Sequence, residues 1–209
     1  ARGQNHDIAV ICGDETVTYC QLWHRVNKAG NAFLELGIQQ GERVVMMVRD
    51  CPEFVYVYLG LLKIGAVPIA VNLRLSAADL AYTFNDSDAK AFVVDDMFLA
   101  TYHEISEEVK SRPVEIMVDI EHADYHFLPK IMAPASKELA AVELKPEDPA
   151  MWLYSSGTTG KPKGVVHSQK TILDAEHLMG DIMGVGPGDR IFGSSKLFFA
   201  YSMGHCFLA

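Results

Sequence analysis

The residues best equipped for chemistry lie in one stretch, Tyr154-Ser-Ser-Gly-Thr-Thr-Gly-Lys-Pro-Lys-Gly-Val165. Ser155, Ser156, Thr158 and Thr159 supply hydroxyls, and Lys161 and Lys163 supply positive charge. Gly157, Gly160 and Gly164 let the backbone turn sharply and let a ligand approach its amides, while Pro162 fixes one joint between the lysines. Hydroxyls, bare amides and ammonium groups on one loop suit a polyphosphate. The stretch is not a Walker A loop, which needs G-x-x-x-x-G-K-[ST]; Pro162 stands where that pattern would place its second glycine, and Lys161-Pro162 follows Gly160. The dinucleotide pattern G-x-G-x-x-G is absent as well. The competing reading is a flexible linker without a ligand, and two lysines bracketing a proline in an acidic chain argue against it. The apolar run Met151-Trp-Leu-Tyr154 reads as the end of a buried strand, and an amphipathic stretch starts near Gln169. The expected context is therefore strand, glycine-rich loop, helix.

Residues 154–164 resemble the phosphate-loop signature of the adenylate-forming, or AMP-binding, superfamily, which includes acyl-CoA synthetases, peptide-synthetase adenylation domains and luciferases. The family pattern is Tyr-[Thr/Ser]-Ser-Gly-[Thr/Ser]-Thr-Gly-x-Pro-Lys-Gly, and every position here fits it. A second stretch is Lys196-Leu-Phe-Phe-Ala-Tyr-Ser-Met-Gly204. By pattern alone it is a glycine-ended aromatic segment of ordinary core. Aligned on Gly204, it is similar to the acyl-pocket segment of the benzoate-CoA ligase branch, Lys-Leu-Phe-Phe-Ala-Tyr-Gly-x-Gly. Phe198 departs from the proline of the wider family, and Ser202 replaces the branch's glycine.

The resemblance implies a carboxylate–CoA ligase that forms an acyl adenylate from Mg·ATP and then a CoA thioester. It implies that Ser155, Ser156, Thr158, Thr159, the amides of Gly157, Gly160 and Gly164, and Lys163 bind the ATP phosphates, with Mg2+ carried on the nucleotide near Thr159. Lys161 falls at a variable family position. Ala200 and Tyr201 are expected to line the acyl pocket, where a small Ala200 leaves room for a flat ring and Tyr201 can pack against it. The expected substrates are benzoate or a substituted benzoate, ATP and coenzyme A. Another carboxylic acid, a carrier-protein acceptor, or a non-catalytic module that keeps only the loop are the alternatives. His167 has two open readings, a place near the nucleotide or acyl pocket and a structural role.

The family's later Tyr-Gly-x-Thr-Glu segment, ribose-binding aspartate, hinge and late lysine are not found here. Residues 1–209 are thus expected to be a partial N-terminal AMP-binding domain, with its phosphate loop at 154–165 and without the mobile C-terminal domain. Alone, such a piece is expected to be inactive, and no residue in it is assigned a catalytic role.

Composition bounds the rest. With 49% hydrophobic and 22% charged residues, the chain resembles an ordinary globular protein. Its net charge of −9 argues against nucleic-acid binding. No run approaches a membrane span, the start Ala-Arg-Gly-Gln-Asn-His has no signal-like apolar core, and a cytoplasmic location is expected. Cys12, Cys20, Cys51 and Cys206 show no metal spacing and read as reduced thiols. His122 and His126 could share a helix face beside Glu121, but a polar surface segment is the preferred reading over a metal site. Oligomeric state has no signature.

The elements that must position the loop alternate in type. A hairpin is expected from Ala9 to Tyr19, and Leu22, Val26, Ala29, Phe33 and Leu36 mark a helix face. Residues 43–48 form a continuous apolar run suited to a strand covered on both faces. Asp50 and Pro52 open a buried helix through Ile64 whose tyrosines read as core. Residues 66–71 form a strand that Pro68 marks as an edge or a bulge. Ser76 with Asp79 predicts a helix start. Strands at 91–94 and 114–118 flank a helix over 98–110, and 119–150 is a connection with one short element. Ser168 could cap a helix containing Ile172, Ala175, Leu178 and Met179, and 190–192 reads as a short strand. The alternation predicts an α/β fold with a largely parallel sheet and helices on both faces, its ligand at the carboxyl ends of the strands.

Overall fold

The computed structural model describes residues 6–155, 160–186, 188–189 and 191–208. Strands β1 (Ile8–Cys12) and β2 (Glu15–Thr18) form the expected antiparallel hairpin. Helix α1 (Tyr19–Glu35) starts in a capping box: Thr18 accepts from the Gln21 amide, and the Gln21 side chain accepts from the Thr18 amide.

Strand β3 (Arg43–Met47) leads to helix α2 (Pro52–Lys63), where Pro52 takes the first turn with no need of an amide donor. Strand β4 (Val67–Ala70), helix α3 (Ala77–Ser87) and strand β5 (Ala91–Val94) follow. Ser76 caps α3 by accepting from the Asp79 amide at 3.1 Å. Helix α4 (Leu99–His103), strand β6 (Val114–Met117), strand β7 (His126–Phe127) and helix α5 (Leu128–Met132) complete this part. Then come strands β8 (Pro149–Ser155) and β9 (Lys163–Ser168) and helix α6 (Gln169–His177), with the one-turn helix α7 (Ala200–Ser202) near the end.

The main sheet has seven strands in the order β7-β6-β5-β3-β4-β8-β9. All its pairings are parallel except β8–β9. Helices cover both faces, as expected of α/β alternation. Val44 and Met46 join the core under α1 and α2, whereas Val45 and Met47 join the core under α3. The unbroken apolar run of β3 is thus buried on both sides.

Five expectations change. β4 is an interior strand between β3 and β8, not an edge. The Val67 and Val71 amides donate to Glu42 and Met46 on the β3 side, so the position of Pro68 faces β8. There the registered pairing is Ile69 with Trp152, so the missing donor of Pro68 is tolerated. The helix expected over 98–110 stops at His103. The Ser106 hydroxyl bonds the His103 carbonyl, a local competitor to helical pairing. His122 and His126 do not share a helix: His126 pairs with Ile116 in the sheet, and His122 bonds Asp96. Residues 191–193 form no strand, Arg190 lies outside the described residues, and the backbone at Gly193 instead packs against Ser202 and Cys206. Finally, a strand, β9, stands between the glycine-rich loop and the helix.

The weakly periodic stretch after α5 is held by side chains rather than by its own pattern. Asn27 donates to the Lys137 carbonyl, Lys28 to those of Met132 and Ala133, and Asn31 to those of Ser136 and Glu138. All three donors lie on α1. Cys12, Cys20, Cys51 and Cys206 are free thiols. Among the described residues no helix is long and apolar enough to cross a membrane.

Candidate functional site

Strands β8 and β9 form a hairpin whose connection is the glycine-rich loop. Residues 156–159, which include the candidate ligands Ser156, Gly157, Thr158 and Thr159, lie outside the described residues. The two stem positions are described: Ser155 stands opposite Lys163. Both are exposed. On the returning arm Gly160 has φ +96°, a backbone state that a side chain would strain.

Alternation along the hairpin sorts its residues onto two faces. Met151, Leu153 and Ser155 share a face with their partners His167, Val165 and Lys163. This is the face on which Met151 and Leu153 join the α1–α2 core. Trp152 and Tyr154, with partners Val166 and Gly164, face α3. The Tyr154 ring lies across Gly164: a Cβ there would come within 3.1 Å of Tyr154 Cζ and 3.2 Å of its Oη. Glycine at 164 therefore has a packing reason. The Tyr154 hydroxyl donates to Asp86 Oδ2 at 2.7 Å. Burial, followed by the bond to Asp86, holds the Tyr154 hydroxyl well above the ordinary tyrosine range, so it remains a donor.

The first face opens into a cleft of about 520 Å³ lined by the loop stem and by the second stretch. Tyr154, Ser155, Val165 and His167 come from the hairpin, and Phe198, Phe199 and Ala200 come from the far segment. The two motifs, separated in sequence, meet here. Burial lowers the pKa of His167, which favours a neutral imidazole.

The far segment is pinned from three sides. The Leu197 amide donates to Asp50 Oδ1 at 3.1 Å, and Lys196 Nζ lies 3.5 Å from Asp50 Oδ2. Ser202, 1% exposed, donates to the Ser195 carbonyl at 2.8 Å, and its Oγ lies 2.6 Å from Ser195 Oγ. The serine at the branch's glycine position thus closes a part-buried hydroxyl pair. Tyr58 of α2 is fully buried, with its hydroxyl 2.9 Å from Met151 Sδ and 3.0 Å from Met203 Sδ. One side chain therefore touches both the β8 stem and the far segment. Phe207 packs edge-on against Tyr58, with centroids 5.4 Å apart.

Of the candidate pocket residues, Ala200 lines the cleft and Tyr201 and Gly204 lie outside its lining. Tyr201 is 58% exposed and packs against the His205 ring at 4.8 Å. Sequence reasoning missed Val165 and, as a tie to this segment, Asp50. A valine pair between glycine and histidine was the only signal for the first. The second contact spans residues 50 and 197 and has no local signature. Among the described residues no cluster of histidine, cysteine and carboxylate side chains could hold a metal ion.

Over residues 1–209 the chain matches the AMP-binding enzyme family. The chain belongs to that family. This AMP-binding chain is 39% identical over 212 residues to a 3-hydroxybenzoate–CoA/4-hydroxybenzoate–CoA ligase of Thauera aromatica, covering 98% of the chain and 40% of that protein. It is 40% identical over 205 residues to a 3-hydroxybenzoate–CoA ligase of Aromatoleum sp. (strain CIB), covering 98% and 39%. Its structure superposes on the anthranilate CoA ligase AuaEII, in complex with anthranoyl-AMP, with TM-score 0.94 at 28% identity, covering 98% of this chain and 40% of that one. A benzoate CoA ligase from Burkholderia xenovorans LB400 gives TM-score 0.87 at 26% identity, covering 99% and 40%. The AMP-binding chain spans about 40% of the length of the curated relatives it matches.

Proposed function

We propose that this chain forms part of an ATP-dependent carboxylate–CoA ligase acting on benzoate or a hydroxybenzoate. The carrying observation is the cleft of about 520 Å³ in which the phosphate-loop stem meets Phe198, Phe199 and Ala200. Such a site holds the two partners of an adenylation side by side, an acid above an apolar floor and a polyphosphate at the loop. The likeness to ligases named for 3- and 4-hydroxybenzoate supports the aromatic acid.

In the first step the acid carboxylate attacks the α-phosphorus of Mg·ATP, forming the acyl adenylate and releasing pyrophosphate. The CoA thiol then attacks the acyl carbon, forming the thioester and releasing AMP. Magnesium belongs to the nucleotide substrate. The protein's work is to bring two anions into line and to offset charge on the departing pyrophosphate. Ser155 and Lys163 do this from the stem, with Ser156, Thr158, Thr159 and the amides of Gly157, Gly160 and Gly164 completing the phosphate contacts. Ala200 leaves space for the ring, with Tyr201 and Gly204 shaping the same segment. ATP and CoA as substrates support a cytoplasmic location.

The test is ATP–pyrophosphate exchange and CoA-thioester formation by the complete ligase with a panel of benzoate, both hydroxybenzoates, an arylalkanoate and a fatty acid. The benzoates should have the highest kcat/KM. Preference for the fatty acid, or for a carrier-protein thiol over CoA, would overturn the assignment.

A further inference from the structure

Helix α3 touches the phosphate loop at both of its ends. On the outgoing side, the Tyr154 hydroxyl donates to Asp86 Oδ2 at 2.7 Å. On the returning side, Lys161 Nζ lies 5.4 Å from the centroid of the Tyr82 ring, within cation–π range. Tyr82 and Asp86 are one helical turn apart on α3, and the Tyr82 hydroxyl lies 3.3 Å from Asp86 Oδ1. Asp86 therefore accepts from both tyrosines, one holding the loop's first arm and one facing its second.

The α3 face of the hairpin is built to receive this contact. Gly164 lacks the side chain that would lift the Tyr154 ring. Asp86 itself lies outside the cleft lining and cannot serve as a group that meets substrate there. Its reach is through Tyr154, the residue beside Ser155.

We propose that Asp86 is a positioning residue for the stem of the phosphate loop, clamping the hairpin arms to α3 through Tyr154 and Tyr82 so that Ser155 and Lys163 are pre-set for the ATP polyphosphate. This rests on the adenylating reading above. A stem already held against α3 loses less conformational freedom when the polyphosphate binds, and cutting the clamp shows as weaker binding. The residue belongs to no part of the signature and lies in a different element.

The experiment is ATP–pyrophosphate exchange by the complete ligase at saturating acid, with ATP varied. Asp86→Ala and Tyr154→Phe should each lower kcat/KM for ATP on the order of tenfold, the factor that about 1.4 kcal/mol produces. The double variant should be no worse than Asp86→Ala alone, because Asp86→Ala already cuts the bond that Tyr154→Phe removes. Asp86→Asn keeps an oxygen acceptor for Tyr154 and should restore most of the loss. Tyr154→Phe keeps the ring over Gly164, so it serves if Asp86→Ala fails to fold. Wild-type kcat/KM in both single variants, while Lys163→Ala remains impaired, would overturn the clamp and leave the adenylating reading standing. So would additive losses, or losses confined to thermal stability. Absence of exchange by the wild-type ligase with every acid would overturn both.

Discussion

Gly60→Ala tests how rigidly the site's foundation is held. Gly60 lies on α2 where that helix crosses α1, and an added Cβ would stand 2.9 Å from Gly30 N, 2.9 Å from Val26 O and 3.1 Å from Ala29 Cβ. The first two are backbone atoms, so no rotamer change relieves them and the helices must part. Overpacking costs about 1–3 kcal/mol, two backbone atoms under 3.0 Å put this site in the upper half at about 2–3 kcal/mol, and replacing glycine by alanine in a helix returns about 1 kcal/mol. The net expectation is a loss of about 1–2 kcal/mol. At about 2–4 °C per kcal/mol for a unit of this size, the melting midpoint should fall by roughly 2–8 °C. Gly30→Ala is the control. Its closest contact is a methyl of Leu139, the end of a flexible side chain, so it should cost less. Because α2 also carries Tyr58 against Met151 and Met203, the Gly60 variant should lose adenylation rate as well as stability. Thermal unfolding by circular dichroism on the complete ligase, with pyrophosphate exchange in parallel, measures both. An unchanged or raised midpoint for Gly60→Ala, or a larger fall for Gly30→Ala, would refute the contact argument.

Three further outcomes are expected. Lys163→Ala should slow acyl-adenylate formation on the order of 100-fold in single turnover, with less effect on thioester formation; equal slowing of both steps would count against its phosphate role. Ala200→Phe should lower kcat/KM for benzoate on the order of 10–100-fold by filling ring space, and retained turnover at unchanged KM would remove Ala200 from the pocket. His167 has a pKa lowered below its ordinary 6.5 by burial. As pH falls from there toward the folded value, the unfolded chain takes up the proton first, so His167 makes stability fall with pH. His167→Gln should flatten that part of a plot of melting midpoint against pH, and an identical slope would refute the burial argument.

The parts legible in the sequence are those in which one local pattern answers to one structural demand. The apolar run at 43–48 needs two covered faces and has them. Ser76 and Asp79 cap α3 within one turn. The parts that escaped depend on distant partners. Pro68 marks an edge only if its missing donor has a ladder to disrupt, and the place where β8 pairs is decided by residue 152. Strand β9 escaped because Lys163 and Gly164 are poor strand formers and its valines are exposed, so tertiary pairing with β8 overrides propensity. Asp50 reads locally as a helix start, while its carboxylate serves residue 197. Both motifs were visible as separate stretches; their meeting in one cleft was not, because nothing in either shows that Tyr58 bridges them.

The hairpin also separates two constraints that a linear motif runs together. Ser155 and Lys163 lie on the cleft-side face, whereas Tyr154 and Gly164 lie on the face turned to α3. Neighbouring signature residues therefore face different surroundings, one set the cleft side and one set the supporting helix α3. With β8 held by β4, a one-residue slip of β9 would turn Lys163 toward α3 and move Gly164 from beneath the Tyr154 ring. The fit of the Tyr154 ring over Gly164 opposes that slip, since only this pairing puts the ring over a position without a side chain. On this reasoning the first tyrosine and last glycine of the stretch hold the hairpin in the register that keeps Ser155 and Lys163 on the cleft-side face, as their proposed phosphate role requires.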